Sequence, residues 1–137
     1  MPGPLSPHDA LIYVMVTMSA VDREMTDKEM LRIGQMVQNL PAFKGFDIEQ
    51  LVHTSESCGN LLSHEDGLDR ILSDVALNLP DELRETAYAL AVEVAAADLA
   101  IKAEELRFLQ LLRDALELEP LICAAIERGA RARHHTV

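Results

Sequence analysis

The stretch AVDREMTDKEMLRI, from Ala20 to Ile33, has a counterpart later in the chain, AADLAIKAEELRFL, from Ala96 to Leu109. Each reads as the end of a helix, a short acidic corner and the start of a second helix. Asp22 and Glu29 in the first copy become Asp98 and Glu105 in the second, an offset of 76 residues in both cases (98 − 22 and 105 − 29). A chain that carries this unit twice must place two helix–corner–helix hairpins. Two units are too few for a solenoid, which needs at least three, so they predict a paired arrangement inside one domain.

The apolar positions carry the same offset. Leu11, Val14, Met15, Met18 and Val21 map onto Ala87, Leu90, Ala91, Val94 and Ala97, all apolar. In the second helix of each unit, Met30, Ile33 and Leu40 map onto Leu106, Leu109 and Leu116, with Val37 against Arg113 as the exception. The spacing i, i+3, i+4, i+7 marks the first helix, from about His8, as amphipathic. Ile12 and Val16 widen its stripe until it reads as a central helix. The alanines of the fifth helix permit close backbone approach, so the first and fifth helices are expected to bury one another, with the corners related by an approximate two-fold axis.

Between the units the punctuation is that of helices. Thr26 with Glu29 forms a capping-box pattern, and Pro41 stops the second helix. Asp47 is placed to cap a third helix with Ile48, Leu51 and Val52 inward, Gly59 marks its break or end, and Ser63 is placed to cap a fourth carrying Leu68, Ile71, Leu72, Val75 and Leu79. Asp81 caps the fifth, which runs to about Asp98. The sixth runs from about Lys102 to Leu118, and Pro120 opens the seventh at the position where a missing N–H costs nothing. Aromatic residues are only 4% of the chain and Trp is absent, so the core comes from Leu, Val, Ile, Ala and Met, a mixture that favours helix over strand. The expectation is an all-α single domain over residues 1–137, a bundle of about seven helices with an internal duplication. Residues 1–7 read as an irregular lead-in and 128–137 as a basic, mobile tail, whose Arg128, Arg131 and Arg133 balance the C-terminus of the last helix.

Charge narrows the partners. With 23 acids against 12 bases the formal net charge is −11, which repels phosphate backbones and attracts cations and basic protein surfaces. Nucleic acid is therefore not expected, a basic-surfaced protein partner is, and a homo-oligomer stays open. No segment approaches the ~20 apolar residues of a membrane span, and the N-terminus lacks a secretory pattern. A cytoplasmic location is expected, with Cys58 and Cys123 as reduced thiols.

Two readings of the acidic corners stand side by side. In one, Glu29 and Glu105 only cap backbone N–H groups and Asp22 and Asp98 tie the turns, all favoured by the positive ends of the helix dipoles. In the other, Asp22, Glu29, Asp98 and Glu105 offer hard oxygen ligands to a divalent cation such as Ca²⁺, Mg²⁺ or Mn²⁺, with Glu24, Glu93 and Glu104 as additional ligands. An EF-hand is not the form such a site takes: counting from Asp22, the sixth position is Asp27 instead of Gly and the twelfth is Ile33 instead of Glu.

The repeated helix–acidic corner–helix unit resembles the TerB-like family of tellurite-resistance proteins. The matching residues are Asp22, Met25, Thr26 and Glu29 in the first copy and Ala97, Asp98, Ile101 and Glu105 in the second. The family's pattern has Gly after the Asp, where Arg23 and Leu99 stand here, and Ser or Thr before the last helix of the unit, where Lys102 stands. The resemblance covers nearly the whole chain. It implies an all-helical fold, association with tellurite-resistance and stress systems, metal-linked roles and protein partners, with no catalytic reaction.

No enzymatic pattern competes. His64-Glu65-Asp66-Gly67-Leu68 begins like a zinc protease motif but has Leu68 where the second His is required. No phosphate-binding glycine loop, nucleophile elbow or interpretable Cys/His pair occurs, and the paired carboxylates have no nucleophile or substrate clamp beside them. The expectation is a non-enzymatic binding protein that holds a cation at its corners. The alternative is an interaction module whose corners are structural.

Overall fold

The structure, a computed structural model, describes residues 5–21, 25–96 and 101–137. These form seven α-helices and no strand: α1 (Pro7–Ala20), α2 (Asp27–Asn39), α3 (Leu51–Leu62), α4 (Gly67–Asn78), α5 (Arg84–Ala96), α6 (Ala103–Ala115) and α7 (Pro120–Arg133). The all-α bundle expected from the periodicity is the one observed.

Helix α1 starts where sequence chemistry sets it. Ser6 caps it by accepting from Asp9 N at 3.1 Å, and Pro7 occupies the first turn. Every residue from Ala10 to Ser19 is buried, which is possible only for a helix surrounded on all sides. Its broadest contacts are with α3 and α5. The duplicated stripe proves to be core in both copies: Leu11, Val14, Met15 and Met18 are buried, and so are Ala87, Leu90, Ala91 and Val94. The fifth pair, Val21 with Ala97, includes a residue outside the described ones.

Several boundaries shift for identifiable reasons. Asp47 caps a short 3-10 turn, Ile48–Gln50, before α3 begins, and the inward face of α3 is Leu51, Thr54, Ser55 and Cys58. Ile48 and Val52, expected inward, are exposed. Gly59 does not break α3, which continues to Leu62. Ser63 terminates that helix instead of opening the next, because its hydroxyl donates back to Asn60 O at 2.6 Å. Helix α4 opens at Gly67, where a Cβ would stand 2.0 Å from Leu61 O, so only glycine admits the close α3–α4 turn. The expected α4 stripe is otherwise correct, with Ile71, Leu72, Val75 and Leu79 buried. Helix α6 ends sooner than expected, at Ala115, where a left-handed Glu117 (φ 56°) follows and Leu118 N donates to Arg113 O at 3.2 Å.

Two polar devices join helices distant in sequence. The Arg84 guanidinium donates to Leu116 O at 2.9 Å and to Ala76 O at 3.1 Å, satisfying carbonyls at the ends of α6 and α4 together. Tyr88 OH donates to Glu127 Oε2 at 2.6 Å and ties α5 to α7. Burial and that bond to a carboxylate both push the Tyr88 phenol well above its usual range. Cys58 and Cys123 are free, buried thiols. Burial pushes Cys58 up to about 11 despite its contact with the Thr17 hydroxyl, which leaves it an unreactive thiol at neutral pH.

Candidate functional site

The two corners repeat one local device. At the first, Glu29 Oε1 accepts from Thr26 N at 2.9 Å, and the Thr26 hydroxyl accepts from Glu29 N at 3.2 Å, a reciprocal capping box. At the second, Glu105 Oε1 accepts from Lys102 N at 3.2 Å. An ammonium has no lone pair to return, so the reciprocal half is absent there. Glu29 is half-exposed, whereas Glu105 is 5% exposed, the only fully buried charged side chain among the described residues. The duplication seen in the sequence is thus a duplication of backbone capping.

The end of α1 and the start of α6 lie together. The C-terminal end of α1, through Ala20 and Val21, and the first turn of α6, through Ala103 and Glu104, border one open depression of about 500 Å³, closed below by Leu62, Leu68 and Phe108. Arg107 stands on the same wall. Glu104 is exposed there. Ser19, near the end of α1, is buried and its hydroxyl has no hydrogen-bond partner among the described residues. Asp22, Glu24 and Asp98 lie outside the described residues. Among the described residues no three His, Cys, Asp or Glu side chains are grouped as a metal site.

Glu93 belongs elsewhere. Its carboxylate accepts from Arg133 Nε at 2.8 Å and from Arg133 Nη2, and its second oxygen takes a 2.8 Å bond from His134 Nε2. Burial alone would raise this carboxyl, but the bonds from His134 and Arg133 outweigh it and hold the group below the ordinary carboxylate range. Both of its oxygens are engaged by bases. The expected tail is accordingly shorter: α7 runs through Arg133, and Arg133 with His134 docks on α5. No signal in the sequence marks this contact, because its partners lie 40 and 41 residues apart on different helices. The bond from Arg84 to Leu116 O, 32 residues away, has no local signal for the same reason.

The comparison with known families agrees with the repeated corner. The family model described as Tellurite resistance protein TerB matches residues 8–128. The chain belongs to the TerB family of tellurite-resistance proteins. No curated protein and no solved structure matches it. Among the described residues no helix is long and apolar enough to cross a membrane.

Proposed function

We propose that this TerB-family chain is a non-enzymatic binding protein of tellurite resistance or stress response that takes a divalent cation, Ca²⁺, Mg²⁺ or Mn²⁺, where its acidic corners meet. The observation that carries this reading is a depression bordered by the end of α1 and the start of α6. Residues next to both corners border it, and Glu104 is the acid on its lining. Carboxylates at helix N-termini are stabilised in the ionised form, the form a hard cation requires. The net charge of −11 raises the local cation concentration further.

Isothermal titration of chelator-treated protein with Ca²⁺, Mg²⁺, Mn²⁺ and Zn²⁺ tests the proposal. One shared site predicts that Asp22→Asn and Asp98→Asn each remove most of the binding heat and that the double variant removes all of it. Absence of heat in the parent at millimolar cation sinks the reading.

A second reading, an interaction module with structural corners, has its own support. Leu31 is 65% exposed and Val52 57%, and with Ile48 they border an open groove of about 390 Å³ between α2 and α3, with Asp27 on the same rim. An apolar helix with flanking basic residues on a protein partner suits that surface. If Leu31→Glu plus Val52→Glu retains every partner that the parent binds with purified components, this second reading fails.

A further inference from the structure

A cavity larger than the depression beside α1 and α6 is lined by other residues. It is an opening of about 740 Å³ between α2, α5 and the end of α7, within the size range of small-molecule sites. Its walls are Met36, Leu40, Pro41, Ala42, Ala89 and Leu90. The two alanines face the opening with side chains too short to fill it.

The charged and ionisable groups on its lining are Arg32, Glu93, Arg133 and His134. Arg133 and His134 reach this rim but are already engaged by Glu93. Arg32, half-buried on the α2 wall, forms no ion pair with the described residues. The rim therefore holds more positive than negative charge, in a protein whose overall balance is strongly acidic. An apolar trough with one uncommitted guanidinium is complementary to a molecule that has an apolar chain and an anionic head.

We propose that the cavity binds a single-chain carboxylate amphiphile, a medium-chain fatty acid, its chain against Met36, Ala89 and Leu90 and its head at Arg32. The Glu93–Arg133–His134 contact holds the third wall in place by fixing the end of α7 on α5. Arg32 is the group that selects the anion.

Decanoate is the probe, followed by titration calorimetry and by NMR shifts of the Met36 and Leu90 methyl groups. Decanoate binds and moves those signals, while decanol and acetate, each lacking one half of the recognised chemistry, bind at least about tenfold more weakly. Arg32→Gln weakens decanoate by about tenfold or more. Ala89→Phe blocks the trough, and Ala42→Phe blocks it from the other wall, so a folding defect in one leaves the other to decide. The proposal is overturned by a parent that does not bind millimolar decanoate, by decanol binding as tightly as decanoate, or by retained affinity in Arg32→Gln. It is also overturned if phosphatidylglycerol vesicles capture the protein and either phenylalanine variant leaves that capture unchanged, because the recognised lipid surface would then lie elsewhere.

Discussion

The first and second acidic corners perform the same task in different surroundings. Both use a glutamate at the third helical position to accept from the backbone N–H of the residue before the helix, Thr26 or Lys102. Only the first adds a hydroxyl in return. Only the second buries its glutamate, because α6 is the more deeply embedded helix: Phe108, Leu109 and Leu112 are buried along it, whereas α2 buries just Ile33 and Val37. The copies have therefore divided the work. The first corner is held by its own cap, and the second by the packing around it.

The sharpest way to break this comparison is to remove each glutamate. Glu105→Ala is expected to cost about 1–3 kcal/mol, since it empties a packed position and removes a charge-assisted acceptor. Glu29→Ala, on a half-exposed site, is expected to cost about 0.5–1 kcal/mol. Urea unfolding monitored by helical circular dichroism measures both. A Glu105→Ala protein more stable than the parent would reverse the interpretation and mark the buried carboxylate as kept for binding at the expense of stability.

A smaller difference is expected on the cap side. Thr26→Ala removes a hydroxyl that accepts from Glu29 N and is expected to lower stability by about 1 kcal/mol. Lys102→Ala removes no such acceptor, and its exposed ammonium contributes about 0–1 kcal/mol at most. Equal unfolding midpoints for the two variants would show that the reciprocal hydroxyl contributes nothing to the first corner.

The smallest effect concerns Glu93, away from the two capping glutamates. Glu93 has its carboxyl held below the ordinary range, so the stabilisation it provides is fully present above the usual value of 4.5 and is lost as pH falls through the lowered one. Arg133 and His134 face it directly, and Arg32 lines the same cavity from α2. The stability difference between the parent and Glu93→Gln is expected to be a few tenths to about 1 kcal/mol near neutrality and to shrink on acidification. Urea midpoints measured across that pH range give the test, and a difference that grows as pH falls would contradict the assigned pairing.

Much of the fold was legible because its helices are marked at both ends. Thr26 with Glu29, Pro41 and Pro120 act within a few residues of themselves, so their meaning survives without tertiary context. Which face of a short helix meets the core does not. Ile48 and Val52 have the spacing of inward residues, yet α3 turns Thr54 and Cys58 toward α1 and Ser55 toward Met30 of α2, and leaves those two in solvent. The candidate site divides the same way. The capping roles of Glu29 and Glu105 were readable from their distance to the helix start, while the burial of Glu105 depends on neighbours supplied by the rest of the bundle.

The sequence by itself determined the all-helical class, the duplicated hairpin and the family, because each rests on local periodicity, local caps or a repeated string of residues. Tertiary structure alone decided that the end of α1 and the start of α6 face one depression, that Glu93 is claimed by Arg133 and His134, and that Arg32 overlooks an apolar cavity. Those contacts join residues tens of positions apart, and their pairing follows from how close-packed helices cross, which no short-range pattern encodes.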